Sequence, residues 1–181
     1  MQASRTAERD GQSVWAIDPT HSTVAFTVQN FFFFKLRGSF AEIAGTLVLD
    51  EEDVRGSSVE VTIKAASIST GSKRRDAHLR GADFLDVERY PEILFRSTQV
   101  EPGTDRDTIR VTGALTIKDK TRAVILAVDA MDRSRSPQGE EVVYYTATTE
   151  IDRFDFGITH GRLISGRKLP IVINVQALRQ T

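Results

Sequence analysis

Residues 57–65 read SSVEVTIKA. Val59, Val61, Ile63 and Ala65 alternate with Ser58, Glu60, Thr62 and Lys64. A strand turns successive side chains to opposite faces, so this stretch has one apolar face and one wet face. Wound as a helix, the same residues would scatter around the axis.

The period of two extends outward in both directions. In HSTVAFTVQN (21–30), Val24, Phe26 and Val28 alternate with Thr23, Ala25 and Thr27. In TIRVTGALTIK (108–118), Ile109, Val111, Leu115 and Ile117 share a face, and in PIVINVQAL (170–178) Ile171, Ile173, Val175 and Ala177 do. Further strands are predicted at Phe40–Asp50, Glu92–Glu101, Thr121–Met131 and Val142–Asp152, separated by the turn-forming stretches DEEDVRGS, EPGTDRD, KDK and RSRSPQGEE. About eight long strands with one wet face predict an all-β fold: an extended eight-stranded antiparallel up-and-down barrel of lipocalin-like type. Closure removes the exposed edges that an open sheet would present.

One segment departs from that period. In STGSKRRDAHLRGADFLDVERYP, Ser72 caps a short helix over Lys73–Arg80, Gly81 ends it, Ala82–Val87 forms a second turn, and Pro91 resets the chain. The helical insertion is thus placed around 72–87. Residues 1–12 read as a flexible tail and 13–181 as a single barrel domain.

Composition narrows the function classes. The 181 residues carry 24 basic and 25 acidic side chains, net −1, so no general attraction to nucleic acid is expected. There is no cysteine, which excludes disulfides, thiolate metal sites and a cysteine nucleophile. The N-terminal stretch lacks the apolar core of a secretory signal, and the chain as given reads as cytoplasmic.

An eight-stranded barrel is either filled by its own side chains or holds one small ligand, and the pattern admits both. Any cavity would be apolar, because the inward faces carry few polar atoms. The run NFFFFKL (30–36) continues the inward phase through Phe32, Phe34 and Leu36 to Phe40, leaving Phe31 and Phe33 outward to cover a rim or an interface. Expected pore-lining residues are therefore Phe26, Val28, Phe32, Phe34, Phe40, Ile63, Phe95, Ile117 and Ile173.

His21, His78 and His160 show no ligand-pair spacing of a strand or helix, so no metal site is expected. His21 follows Asp18-Pro19-Thr20 and reads as a turn-fixing residue. Arg75 and Asp76 read as a pair pinning the insertion. HGRLISGRK (160–168) gathers Arg162, Arg167 and Lys168 without an acid and could meet an anionic group. There is no GxSxG elbow, P-loop, dinucleotide fingerprint or paired-carboxylate signature.

Five stretches occur together in order: WAIDPTHSTVAFTV, RGSFAEIAGTLVLD, ASISTGSKRRDAHLRGADFLDVERYPEILFRST, VTGALTIKDKTRAVIL and IDRFDFGI. They resemble the YceI-like family of polyisoprenoid-binding, lipocalin-like proteins, from about Trp15 to Leu178. The resemblance implies a barrel whose apolar pore holds an isoprenoid chain, such as a polyprenyl phosphate or diphosphate or a quinone tail, and it brings no catalytic residues. Matched positions include Asp18, His21, Arg75, Asp76, His78, Asp83, Phe84, Tyr90 and Pro91. Phe84 joins the expected ligand contacts on this ground. Two departures are notable. Members often have a histidine and a glycine-containing turn where this chain has Asn30 and the phenylalanines, which suggests an altered, narrowed or self-plugged mouth. They often carry acidic residues near SGRKLP, which suggests a more basic headgroup end here.

The expectation is a carrier of a long isoprenoid lipid, not an enzyme, with no cofactor other than bound lipid. Arg75, Arg162 or Arg167 would meet the headgroup. Expected partners are the isoprenoid or quinone lipid and a membrane touched transiently, with a homodimer as a further candidate and no nucleic acid. Two alternatives stay open: a ligand-free dimeric interaction module with a packed barrel, and an enzyme acting on a lipid or quinone through His78 or His160.

Overall fold

The computed structural model describes residues 11–29, 34–161 and 166–181. Residues 1–10 of the expected tail, and Asn30, Phe31, Phe32, Phe33 and Arg162, lie outside the described residues. The strands are β1 (Gln12–Ile17), β2 (Thr23–Gln29), β3 (Lys35–Phe40), β4 (Ile43–Asp50), β5 (Ser58–Lys64), β6 (Ile68–Ser69), β7 (Glu92–Pro102), β8 (Thr108–Ile117), β9 (Lys120–Arg135), β10 (Glu141–Asp152) and β11 (Lys168–Arg179). One helix, α1 (Lys73–Arg80), lies between β6 and β7.

These eleven segments build eight staves. β1 and β2 both pair with β11, through Ile17 opposite Ala177 and Thr23 opposite Asn174, and so act as one interrupted strand. β3 and β4 pair with β2 and β1 in turn, and β6 and β5 with β3 and β4. The order then runs β5–β7–β8–β9–β10–β11, and β11 closes on β1 and β2. Every pairing is antiparallel, so the fold is the closed, eight-stave up-and-down barrel expected from the sequence.

The interruptions have local causes. Between β1 and β2, the Asp18 N–H donates to the Gln176 carbonyl (2.7 Å), and the Gln176 N–H donates to Ser22 Oγ (3.1 Å). Asp18 Oδ1 accepts from the Thr20 N–H and hydroxyl, and Oδ2 meets His21 Nδ1 at 2.8 Å. His21 thus fixes the turn, as read from DPTH. The stretch Phe40–Asp50, expected as one strand, bends at Ala41–Glu42. There Ser67 replaces the ladder, accepting from the Ala41 N–H at its carbonyl and from the Glu42 N–H at its hydroxyl. The bend moves the inward phase from Gly38 and Phe40 to Ile43 and Leu47. On β7 the register against β8 shifts between Ser97 and Gln99, which moves the buried positions from Ile93 and Phe95 to Val100.

The helical insertion forms as the sequence predicts. Ser72 Oγ accepts from the Arg75 N–H, and Arg80 donates to the carbonyls of Ala66 (2.8 Å) and Ile68 (3.1 Å), tying α1 to the barrel. Gly81 ends the helix with extended backbone (φ −77, ψ 177), not the left-handed turn common after helices. Arg75 and Asp76 do not close on each other: both bind Thr70. Arg75 Nε donates to its hydroxyl (2.8 Å), and Asp76 Oδ1 accepts from its N–H (2.9 Å).

α1, the end of β2, the start of β3, the Ile117–Lys120 turn, residues 153–161 and the start of β11 gather at one end of the barrel. Residues 51–57, 103–107 and 136–140 gather at the other.

Candidate functional site

The barrel is hollow. A cavity of about 930 Å³ runs from the helix end, at His78 and His160, to the opposite end, at Glu51 and Arg133. Its wall is the period-two face of each stave: Val59, Val61 and Ile63 on β5, Ile109, Val111, Leu115 and Ile117 on β8, and Ile171, Ile173 and Val175 on β11. Twelve residues of β11 span roughly 40 Å, or about 30 Å along an axis from which strands tilt by ~40°. The cavity is lined almost wholly by apolar side chains along that length, which suits a long hydrocarbon guest.

Two glycines widen this channel. Gly38 sits opposite Phe26 across β2–β3, and a Cβ added to it would stand 2.3 Å from Phe26 Cζ. A Cβ on Gly113 would stand 2.4 Å from Phe95 Cζ. Both rings therefore lie against bare backbone instead of standing into the lumen, where a side chain at either glycine would push them.

Of the expected ligand residues, Phe26, Val28, Phe34, Phe40, Ile63, Phe84, Phe95, Ile117, Ile173 and Arg75 line the cavity. Phe34 does so at the rim, with 72 % of its surface exposed. Phe32 and Arg162 lie outside the described residues. Arg167 is placed away from the lining, bound to the buried carboxylate of Asp152 (Nε–Oδ2 2.7 Å) and lying over the Phe154 ring. Arg167 holds that carboxyl below the usual carboxylate range.

The two ends differ in charge. At the far end Arg133 is paired with Glu51 at 2.8 Å. At the helix end Lys35, Arg75, His78 and His160 line the mouth. Arg153, buried, organises this end by donating to the carbonyls of Gly166 (3.0 Å), Ile158 (2.9 Å) and His160 (2.8 Å). Burial lowers its pKa. His78 and His160, 82 positions apart in sequence, meet there. His78 Nε2 lies 2.9 Å from Asp83 Oδ2 and His160 Nδ1 lies 3.9 Å from the same atom. The Phe84 ring centroid is 5.1 Å from each imidazole, edge-on. Spacing within single elements gave no sign of this cluster, because the barrel closure brings its parts together. The hydrogen bond from His78, and after it the charge of His160, lower the pKa of Asp83.

The model of the YceI-like domain matches residues 15–177. The chain belongs to the YceI-like family. Protein YceI of Salmonella newport (strain SL254) is 32 % identical to this YceI-like chain over 160 residues, covering 88 % of it and 83 % of the relative. Among solved structures, Burkholderia cenocepacia BcnA has the same barrel, with a TM-score of 0.79 at 22 % identity over 88 % of this chain and 98 % of that one. A polyisoprenoid binding domain from Saccharophagus degradans, implicated in plant cell wall breakdown, superposes with a TM-score of 0.68 at 13 % identity, covering 92 % and 98 %. At these identities the two structures establish the shared fold of the YceI-like barrel.

Proposed function

We propose that this YceI-like protein binds and carries one long-chain isoprenoid lipid, a polyprenyl phosphate or diphosphate or a quinone with a polyprenyl tail. The observation that carries the reading is the apolar channel, whose lining reaches both ends of the barrel. Family membership and the fold shared with a polyisoprenoid binding domain support it. The tail lies along the β5, β8 and β11 faces, and the driving force is burial of hydrocarbon at ~25 cal/mol per Å². The headgroup sits at the helix end, where Arg75 and Lys35 line the mouth, while Arg133 at the other end already has Glu51. The proposed role is binding without turnover. A bilayer offers the tail an equally apolar home, so exchange with a membrane is part of the carrier's cycle.

Delipidated protein titrated with polyprenyl phosphates and with quinones of graded tail length tests the proposal. Each further buried methylene contributes about 0.8 kcal/mol, so affinity climbs with tail length until the channel is full, then levels. Affinity that ignores tail length would overturn it. Parallel titration with both headgroups distinguishes the phosphate from the quinone.

A further inference from the structure

We propose that His78, Asp83 and His160 form a binding site for a zinc-like divalent transition-metal ion at the helix-end mouth of the barrel. Their three ligand atoms all lie within 4.8 Å of one another. Ligands on a tetrahedral zinc at ~2.0–2.1 Å stand about 3.4 Å apart. The observed 2.9 Å and 3.9 Å separations bracket that value, and side chains about half exposed can close the difference by small rotations. Two imidazoles and one carboxylate are a zinc donor set, with the fourth position left to water. Calcium and magnesium prefer all-oxygen sites and are poorly served here.

The site is also braced. Arg80 fixes α1, and with it His78, to the carbonyls of Ala66 and Ile68. Arg153 holds the main-chain carbonyl of His160. Phe84, next to Asp83 in sequence, meets both imidazole rings edge-on and limits their rotation. Asp83 Oδ2 is within hydrogen-bonding distance of His78 but not of His160, and a cation among the three groups would engage both imidazoles. His21, the remaining histidine, is committed to the Asp18 turn at the break between β1 and β2 and serves as an internal control.

The test is isothermal titration of the whole chain with zinc chloride, beside calcium and magnesium. Expected are one zinc per chain, no binding of the other two ions, and affinity lost at least about tenfold in His78→Ala, Asp83→Asn and His160→Ala but kept in His21→Ala. Nitrogen-15 spectra of the unsubstituted protein keep the proposal falsifiable if a variant fails to fold. Zinc is expected to shift His78 Nε2 and His160 Nδ1 while leaving His21 unmoved. Absence of saturable one-to-one zinc binding overturns the site. So does zinc that shifts only His21, or that binds equally well after loss of either mouth histidine.

Discussion

Gly38 is the residue on which channel width depends most directly. A methyl group there meets the Phe26 ring at 2.3 Å, so Gly38→Ala must turn that ring into the lumen or push β3 outward. Overpacking of this kind costs about 1–3 kcal/mol. The expected result is a lower denaturation midpoint together with reduced lipid uptake; unchanged uptake would show that Phe26 does not border the guest. Asp152 illustrates a different residue-scale effect. Arg167 and the Phe154 N–H stabilise its charged form, so its folded pKa lies below the unfolded value. The stability this contributes is fully present above the unfolded carboxylate pKa and is lost as pH falls through the lower folded pKa. Asp152→Asn keeps an acceptor for Phe154 and removes the charge. Its melting temperature is expected to fall short of wild type at pH 7 and to converge with it in acid. A gap independent of pH would contradict the ion pair's role.

At the scale of elements, the helical insertion and the strand breaks follow different rules. Ser72 capping Lys73–Arg80 was legible because a cap and a polar helix are local signals. Ser72→Ala is expected to cost about 0.5–1 kcal/mol, read as faster hydrogen exchange confined to the insertion. Equal exchange rates would mean that the contacts of Arg80 alone hold the helix. The alternating faces of β5, β8 and β11 were equally legible, since period two records which side chains meet the cavity. The breaks were not. The bend at Ala41–Glu42 depends on Ser67, 25 positions on from Glu42, and the β7 irregularity at Thr98 depends on its register with β8. The mouth was legible least of all. Arg75 was expected to pair with Asp76, yet both close on Thr70, and the meeting of His78 with His160 exists only once β11 has closed the barrel. Interactions between distant parts of the chain leave no period in the sequence.

At the scale of the whole molecule, eight staves close on themselves where β11 pairs with β1 and β2, and their inward residues surround the channel without filling it. The open channel forgoes the packing that a filled barrel would gain, and a bound chain restores it. Lipid is therefore expected to raise the melting temperature in proportion to the logarithm of its free concentration above the dissociation constant. Ala147, buried at mid-barrel on β10, offers a way to block the lumen without touching either mouth. The most direct measurement is native mass spectrometry of the purified protein, beside an Ala147→Trp variant prepared identically. The account predicts that wild type carries a single isoprenoid lipid per chain, or takes one up on incubation, and that the folded variant carries none. Wild type that stays unliganded with every isoprenoid offered, or a variant that retains its lipid, would contradict a channel built to hold it.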